Sequence, residues 1–292
     1  MRRVAVIGAN GQLGLDVCQA FASAGYDVAA LNHAELEVAD RAAVDAVLTP
    51  LAPAVIVNTA AMHNVDACEA DPARAFAVNG IGARNIAQAA TALGAVVVHV
   101  STDYVFDGAT RRPYVEEDAP RPLNVYGITK LAGEYAVRVA GPRHAVVRSS
   151  GLYGTGACRA KGGLNFVRLM LKLARERGEV RVVTDEMVTP TYTRDLAAQL
   201  VPIAEGTLGG VVHATCQGAC SWNEFAAAIF ELAGQPVRLL AATSADFPAK
   251  VPRPTYSVLD NARLRAAGVD RMPPWRESLR RYLAEIGELR AA

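Results

Sequence analysis

Residues 4–14 read Val4-Ala5-Val6-Ile7-Gly8-Ala9-Asn10-Gly11-Gln12-Leu13-Gly14. A short apolar run meets the pattern G-x-x-G-x-x-G, and an amphipathic stretch, Gln12–Ala24, follows directly. The order strand, glycine turn, helix gives the pattern its meaning. Glycines allow the tight turn, and backbone N–H groups at the positive end of the helix suit a pyrophosphate. Gly8, Gly11, Gln12, Leu13 and Gly14 are therefore the candidate residues for the phosphates of a dinucleotide.

Working outward, short apolar runs recur at Asp27–Leu31, Val55–Asn58, Ala95–Ser101 and Ala145–Arg148. Helical patterns lie between them at Arg41–Thr49, Pro72–Leu93 and Asn124–Ala140. This alternation predicts an α/β fold, a Rossmann-like doubly wound parallel sheet, over residues 1–150. It fades after Arg148, where Gly-rich turns, a basic amphipathic helix (Phe166–Arg177) and a tract with Pro248, Pro252 and Pro254 follow. Residues 151–292 are expected to form a smaller substrate domain, with about 188–205 packing back onto the first.

Composition narrows the function. The 292 residues carry 30 Lys+Arg against 29 Asp+Glu, a formal charge of +1, which disfavours a dedicated nucleic-acid binder. Hydrophobic content of 51% excludes global disorder. Mean hydropathy of +0.15 raises the question of a membrane span, and the uncharged stretch Asn85–Thr102 is the best candidate. Polar residues interrupt it, and an Ala-rich helix, a stop at Gly94 and a β-branched strand describe it better. The basic-then-apolar N-terminus is too short for a signal-peptide core. Five cysteines show neither zinc spacing nor a disulfide framework, so a cytoplasmic protein without a metal site is expected.

Two further motifs carry chemistry. The second strand ends in Leu31-Asn32-His33, without the carboxylate that would hold a ribose 2′-hydroxyl and repel a 2′-phosphate. Asn32 can donate to either group, so NADPH or NADH is accommodated, and no arginine stands at that strand end. Tyr126-Gly127-Ile128-Thr129-Lys130 places a phenol and an ammonium one turn apart on one helix face. The lysine charge is expected to lower the phenol's pKa. Ser101-Thr102-Asp103 delivers a hydroxyl to the carboxyl edge of the sheet, where open α/β sheets bind ligands.

These elements resemble the extended short-chain dehydrogenase/reductase superfamily. Ser101-Thr102-Asp103-Tyr104-Val105-Phe106-Asp107-Gly108, Pro122 to Glu134, Asn58-Thr59-Ala60-Ala61 with Val65-Asp66 and Glu69, and Arg253-Pro254-Thr255-Tyr256-Ser257-Val258-Leu259-Asp260 narrow the match. Together they resemble the dTDP-4-dehydrorhamnose reductase family from Met1 to about Leu283. The resemblance implies reduction of the 4-keto group of dTDP-4-dehydro-L-rhamnose, in a cleft between a cofactor domain and a sugar-nucleotide domain. It implies Thr102, Tyr126 and Lys130 as the catalytic triad. Asp103 and Tyr104 would contact the sugar and Arg253 the diphosphate. Glu37 and Val38 would flank the adenine, with Ala60, Ala61 and Asn79 along the cofactor path.

Dehydratases of this superfamily carry Thr-Asp-Glu where this chain has Thr102-Asp103-Tyr104, so elimination is disfavoured. Three positions depart from the family pattern: Gly151 where a Trp is common, and Glu186 and Val188 where Gln and Gly are usual. A metal shared between subunits in some relatives is not carried over, because Arg194 stands at one ligand position. His63 lies near the substrate in relatives. The expected partner is a nucleotide sugar, with a homodimer left open. Rival readings are a reductase or epimerase of another nucleotide-linked ketosugar, and a non-catalytic binding or regulatory subunit.

Overall fold

The first strand, β1 (Arg3–Ile7), is buried from Val4 onward, and so is all of β3 (Val55–Asn58). Runs apolar on both faces need cover on both faces, which helices on either side of a parallel sheet supply. With β2 (Asp27–Leu31), β4 (Val96–Thr102) and β5 (Ala145–Ser149), these strands pair in parallel in the order β2-β1-β3-β4-β5. The order reverses between β1 and β3, so the loops after these two strands diverge and open a crevice for a ligand. The computed structural model describes residues 2–158, 162–206, 208–247 and 250–290; Pro248 lies outside them.

Helices α1 (Gln12–Ser23) and α2 (Arg41–Leu51) follow β1 and β2. Asp40 caps α2 by accepting from the Ala42 and Ala43 N–H groups at 2.8 and 3.2 Å. The single helix expected over Pro72–Leu93 is instead α4 (Pro72–Phe76), a π-helical turn (Ala77–Gly82) and α5 (Ala83–Leu93), preceded by α3 (Val65–Ala70). Helix α6 (Val125–Ala140) begins at Asn124, whose Oδ1 accepts from the Gly127 N–H at 2.9 Å. Gly94 separates α5 from β4, and no helix among the described residues is long and apolar enough to cross a membrane.

Beyond β5 the chain forms β6 (Leu152–Tyr153), α7 (Phe166–Arg177), β7 (Glu179–Val183), β8 (Met187–Val188), β9 (Thr191–Tyr192) and α8 (Thr193–Glu205). Then come β10 (Gly210–His213), β11 (Cys220–Ser221), α9 (Trp222–Ala233), β12 (Arg238–Ala242), α10 (Ala262–Ala266) and α11 (Trp275–Glu285). The large sheet does not end at residue 150: β10 pairs in parallel with β5 as its sixth strand. Helix α8 packs with α1, where Leu196, Leu200 and Ile203 join Val17 and Phe21 in one core. A second core gathers α7, α9 and α11 around Phe225, Ile229, Tyr282 and the β7–β12 pair. Trp275 packs against both cores. The basic face of α7 lies outside this core, with Arg175 paired to Glu288.

One buried ion pair ties the sheet to α6. Arg148 of β5 makes a two-pronged contact with Glu134 of α6, at 2.9 and 2.6 Å, and Ser101 Oγ donates to the same carboxylate at 2.6 Å. Removing one partner leaves a buried charge without its counterion. Arg148→Met is expected to lower unfolding free energy by about 3–5 kcal/mol, measured by urea denaturation. A loss below about 1 kcal/mol, the range of an exposed pair, would contradict this role.

Candidate active site

A cleft of about 850 Å³ lies along the carboxyl edge of the large sheet. One end is walled by Gly8, Gly11, Gln12, Leu13 and Gly14, with Asn32, Glu37 and Val38 beside them. Thr102, Asp103, Tyr104, Tyr126 and Lys130 line its middle, and Phe166, Glu186, Trp222 and Arg253 line the side contributed by later segments. Ala60, Ala61 and His63 also line it.

The glycines fit the expected cofactor. Gly8 has φ +83°, and a Cβ there would meet Thr59 Oγ1 at 2.7 Å and the Ala60 nitrogen at 2.9 Å. A Cβ on Gly14 would strike the Gly8 carbonyl oxygen at 2.2 Å. A side chain at Gly8 would collide with the loop after β3, and one at Gly14 would collide with the turn between β1 and α1, so both glycines permit the close backbone packing that a pyrophosphate-binding turn needs.

Asn79 differs from expectation. It does not line the cleft but is buried behind it in the π-helical turn. Its Oδ1 accepts from the Met62 N–H at 2.9 Å, and its Nδ2 donates to the Met62 carbonyl at 2.9 Å and to Thr129 Oγ1 at 3.0 Å. Asn79 thus clamps the loop carrying Ala60 and Ala61 onto α6. The widened turn sits where this amide leaves the helix, a common location for functional bulges.

Tyr126 and Lys130 share one face of α6, as their spacing predicts. Lys130 is buried, and its Nζ donates to the Val100 carbonyl at 2.7 Å and lies 3.4 Å from His99 Nε2. Burial lowers the Lys130 pKa to about 8, against the opposing pull of Glu134. The phenol of Tyr126 goes the other way from expectation. Loss of water around it pushes its pKa above the ordinary tyrosine value, and a hydrogen bond with Thr102 only partly offsets this. Desolvation of the buried phenol is the largest influence, and the neighbouring Asp103 and Tyr104 act in the same direction.

Thr102 ends β4 with its hydroxyl donating to Asp103 Oδ1 at 3.0 Å and accepting from the Tyr104 N–H at 3.1 Å. Asp103 Oδ2 accepts from Ser150 Oγ at 2.9 Å. Burial raises the Asp103 pKa, and hydrogen bonds from Ser257, Ser150 and Thr102 moderate the rise. Tyr104 packs edge-on against Tyr126 with ring centroids 5.7 Å apart. Arg253 lies 3.5 Å from Asp66, and its charge opposes the burial that raises the Glu186 pKa.

Two features escaped the sequence reading. Arg74, from α4, lines the cleft near Asn32 and pairs with Glu37 at 2.8 Å, supplying the arginine absent from the end of β2. No local signal marks it, since it lies far along the chain from that strand. Phe166 and Trp222, with ring centroids 4.6 Å apart, supply an aromatic wall. The departures at 151 and 188 prove complementary. Gly151 has φ +57°, and a Cβ there would meet the Val188 Cγ2 at 3.1 Å and the Thr189 carbonyl at 3.0 Å. Gly151 and Val188 therefore pack directly against each other.

Arg194, where the resemblance would place a shared metal ligand, and Asp16 of α1 are both engaged within the chain. Asp16 accepts from Thr193 Oγ1 at 2.5 Å, and Arg194 pairs with Glu285 at 2.7 Å.

Comparison with known proteins identifies the family. The family model described as RmlD substrate binding domain matches residues 1–288. The spore coat polysaccharide biosynthesis protein SpsK of Bacillus subtilis is 42% identical over 98% of both chains. The dTDP-4-dehydrorhamnose reductase of Streptomyces griseus is 42% identical over 94% of this chain and 90% of its own. The crystal structure of dTDP-4-dehydrorhamnose reductase from Bacillus anthracis in complex with NADP superposes with a TM-score of 0.92 at 38% identity, covering 98% of this chain and 100% of that one. With a family model spanning nearly its whole length and these relatives aligned end to end, the chain belongs to the RmlD substrate binding domain family.

Proposed function

We propose that this protein reduces the 4-keto group of dTDP-4-dehydro-L-rhamnose to give dTDP-L-rhamnose. The chain is an NAD(P)-dependent oxidoreductase of a nucleotide-sugar family. The observation that carries the finer reading is the convergence of Thr102, Tyr126 and Lys130 in one cleft that also holds a phosphate cradle and Arg253.

The glycines at 8, 11 and 14, with Gln12 and Leu13, would hold the cofactor's pyrophosphate, and Lys130 its nicotinamide ribose. When bound, the reduced nicotinamide supplies the hydride. Tyr126 supplies the proton. Its raised pKa keeps the phenol neutral at physiological pH, which is the state a general acid must be in to protonate the developing alkoxide. Thr102 donates a second hydrogen bond to that oxygen once its hydroxyl turns from Asp103. Asp103 is held by Ser150, and position 104 offers a phenol rather than a second carboxylate, so the site favours reduction over elimination.

Three measurements test this reading. With the ketosugar nucleotide prepared enzymatically, reduced cofactor absorbance should fall in step with formation of the 4-hydroxy product. Product formation without net cofactor oxidation would mean epimerisation instead. Tyr126→Phe should lower kcat by about 10²–10⁴-fold, the usual worth of a positioned acid, with cofactor Kd unchanged; near-normal turnover would remove Tyr126 from this role. Arg74→Ala should weaken NADPH binding about tenfold or more, the worth of one charge-assisted hydrogen bond, and NADH binding less than about twofold. Equal losses for the two cofactors would show that Arg74 does not meet the 2′-phosphate.

A further inference from the structure

A run of hydrogen-bonding groups passes behind the cleft and ends on Lys130. The Ala60 N–H donates to Asn58 Oδ1 at 3.1 Å, which leaves the Asn58 NH₂ as the group facing His99. Asn58 Nδ2 lies 3.0 Å from His99 Nδ1. An NH₂ can only donate, so Nδ1 is the bare, accepting nitrogen. Both residues are buried, and burial holds the His99 pKa far below the usual histidine value, so the ring is neutral. A neutral imidazole with Nδ1 bare carries its proton on Nε2. That N–H faces Lys130 Nζ at 3.4 Å. An ammonium has three hydrogens and no lone pair, whereas a neutral amine can accept.

We propose that His99, set in its Nε2–H form by Asn58, is a positioning residue that disfavours the ammonium form of Lys130 in the cofactor-free enzyme, so that in alkaline solution cofactor binding is coupled to uptake of one proton by Nζ. The proton comes from solvent and forms the third N–H bond of the ammonium; no other bond is made or broken. The diphosphate's negative charge and the ribose hydroxyl oxygens favour the cation once the cofactor is present. Above about pH 8 the positive charge beside Tyr126 is then carried mainly by the loaded enzyme.

The charged groups around Lys130 are largely engaged by other partners. Glu134, one turn along α6, favours the cation, but Arg148 of β5 and Ser101 of β4 already engage its carboxylate. Tyr126 on the same helix is kept protonated by burial, and Asp103 at the end of β4 is engaged by Thr102 and Ser150. The resulting lysine pKa of about 8 lies where coupling is measurable.

The inference rests on Lys130 being a cofactor-holding residue, and binding at about pH 6, where Nζ is charged regardless, tests that reading by itself. NADPH affinity of the whole enzyme, followed by fluorescence from about pH 6 to about 10, should be level in acid and fall about tenfold per pH unit above about 8. Calorimetry at about pH 9 in buffers of different ionisation enthalpy should show about one proton taken up on binding. ¹⁵N spectra of the free enzyme should show His99 protonated on Nε2. In Asn58→Asp, a carboxylate accepts from both the Ala60 N–H and a proton on Nδ1, so the tautomer reverses and Nε2 accepts from the ammonium. The break in affinity should then move up by about one pH unit or more. A wild-type ring protonated on Nδ1, no proton uptake at about pH 9, or an unmoved break in a tautomer-reversed Asn58→Asp would each overturn the proposal. Failure to bind either cofactor at any pH would overturn the assignment of Lys130 as well.

Discussion

The side of α6 that faces the sheet carries Lys130 and Glu134 one turn apart, both buried, and the arrangement of the site follows from how those two groups are satisfied. Glu134 meets the two-pronged guanidinium of Arg148 and the Ser101 hydroxyl, so the end of β4, the middle of α6 and the end of β5 are held in one register. A buried pair of this kind adds little net stability relative to apolar packing, but any displacement of one partner is expensive. That intolerance is what places Thr102, the residue after Ser101, against Tyr126, one turn before Lys130.

Within this frame, desolvation rather than charge attraction decides protonation. The phenol of Tyr126 stays protonated, and the amine of Lys130 becomes easier to deprotonate, for the same reason: each charged form has lost water. A tyrosine poised as an acid suits a reduction, in which a proton must be given to an oxygen that gains negative charge. Asp103 follows the same rule, with its hydroxyl donors only partly offsetting burial.

The strand order brings distant parts of the chain to one edge. Because the strand order reverses between β1 and β3, the glycine loop and the Thr59–Ala61 segment face each other, and Asn79 locks the latter against α6 from behind. Arg74 reaches the end of β2 from α4, where its pairing with Glu37 neutralises a carboxylate that would otherwise oppose a phosphate. Opposite them, Gly151 and Val188 pack as a complementary pair, and Phe166 with Trp222 lines the cleft from the second core.

What the sequence determined by itself was local. The apolar runs, the glycine spacing and the Tyr126–Lys130 interval are set by backbone geometry over one or two turns, so the α/β class, the glycine loop and the Tyr126–Lys130 pair were legible from neighbours along the chain. The sixth strand at Gly210–His213 was not, because four residues ending a long connection carry too little pattern to distinguish an edge strand from a loop. Arg74, Phe166 and Trp222 were hidden for a related reason: their role lies in who stands opposite them, across separations no local spacing encodes. Asn79 was named but misplaced, since a polar residue in a helical run reads the same whether it faces a ligand or clamps a loop. The protonation states, too, came only from the tertiary structure. The Tyr126–Lys130 spacing established that the two groups are neighbours, but the amount of water left around them, set by β4, β5 and the packed loops, decided which of them carries charge.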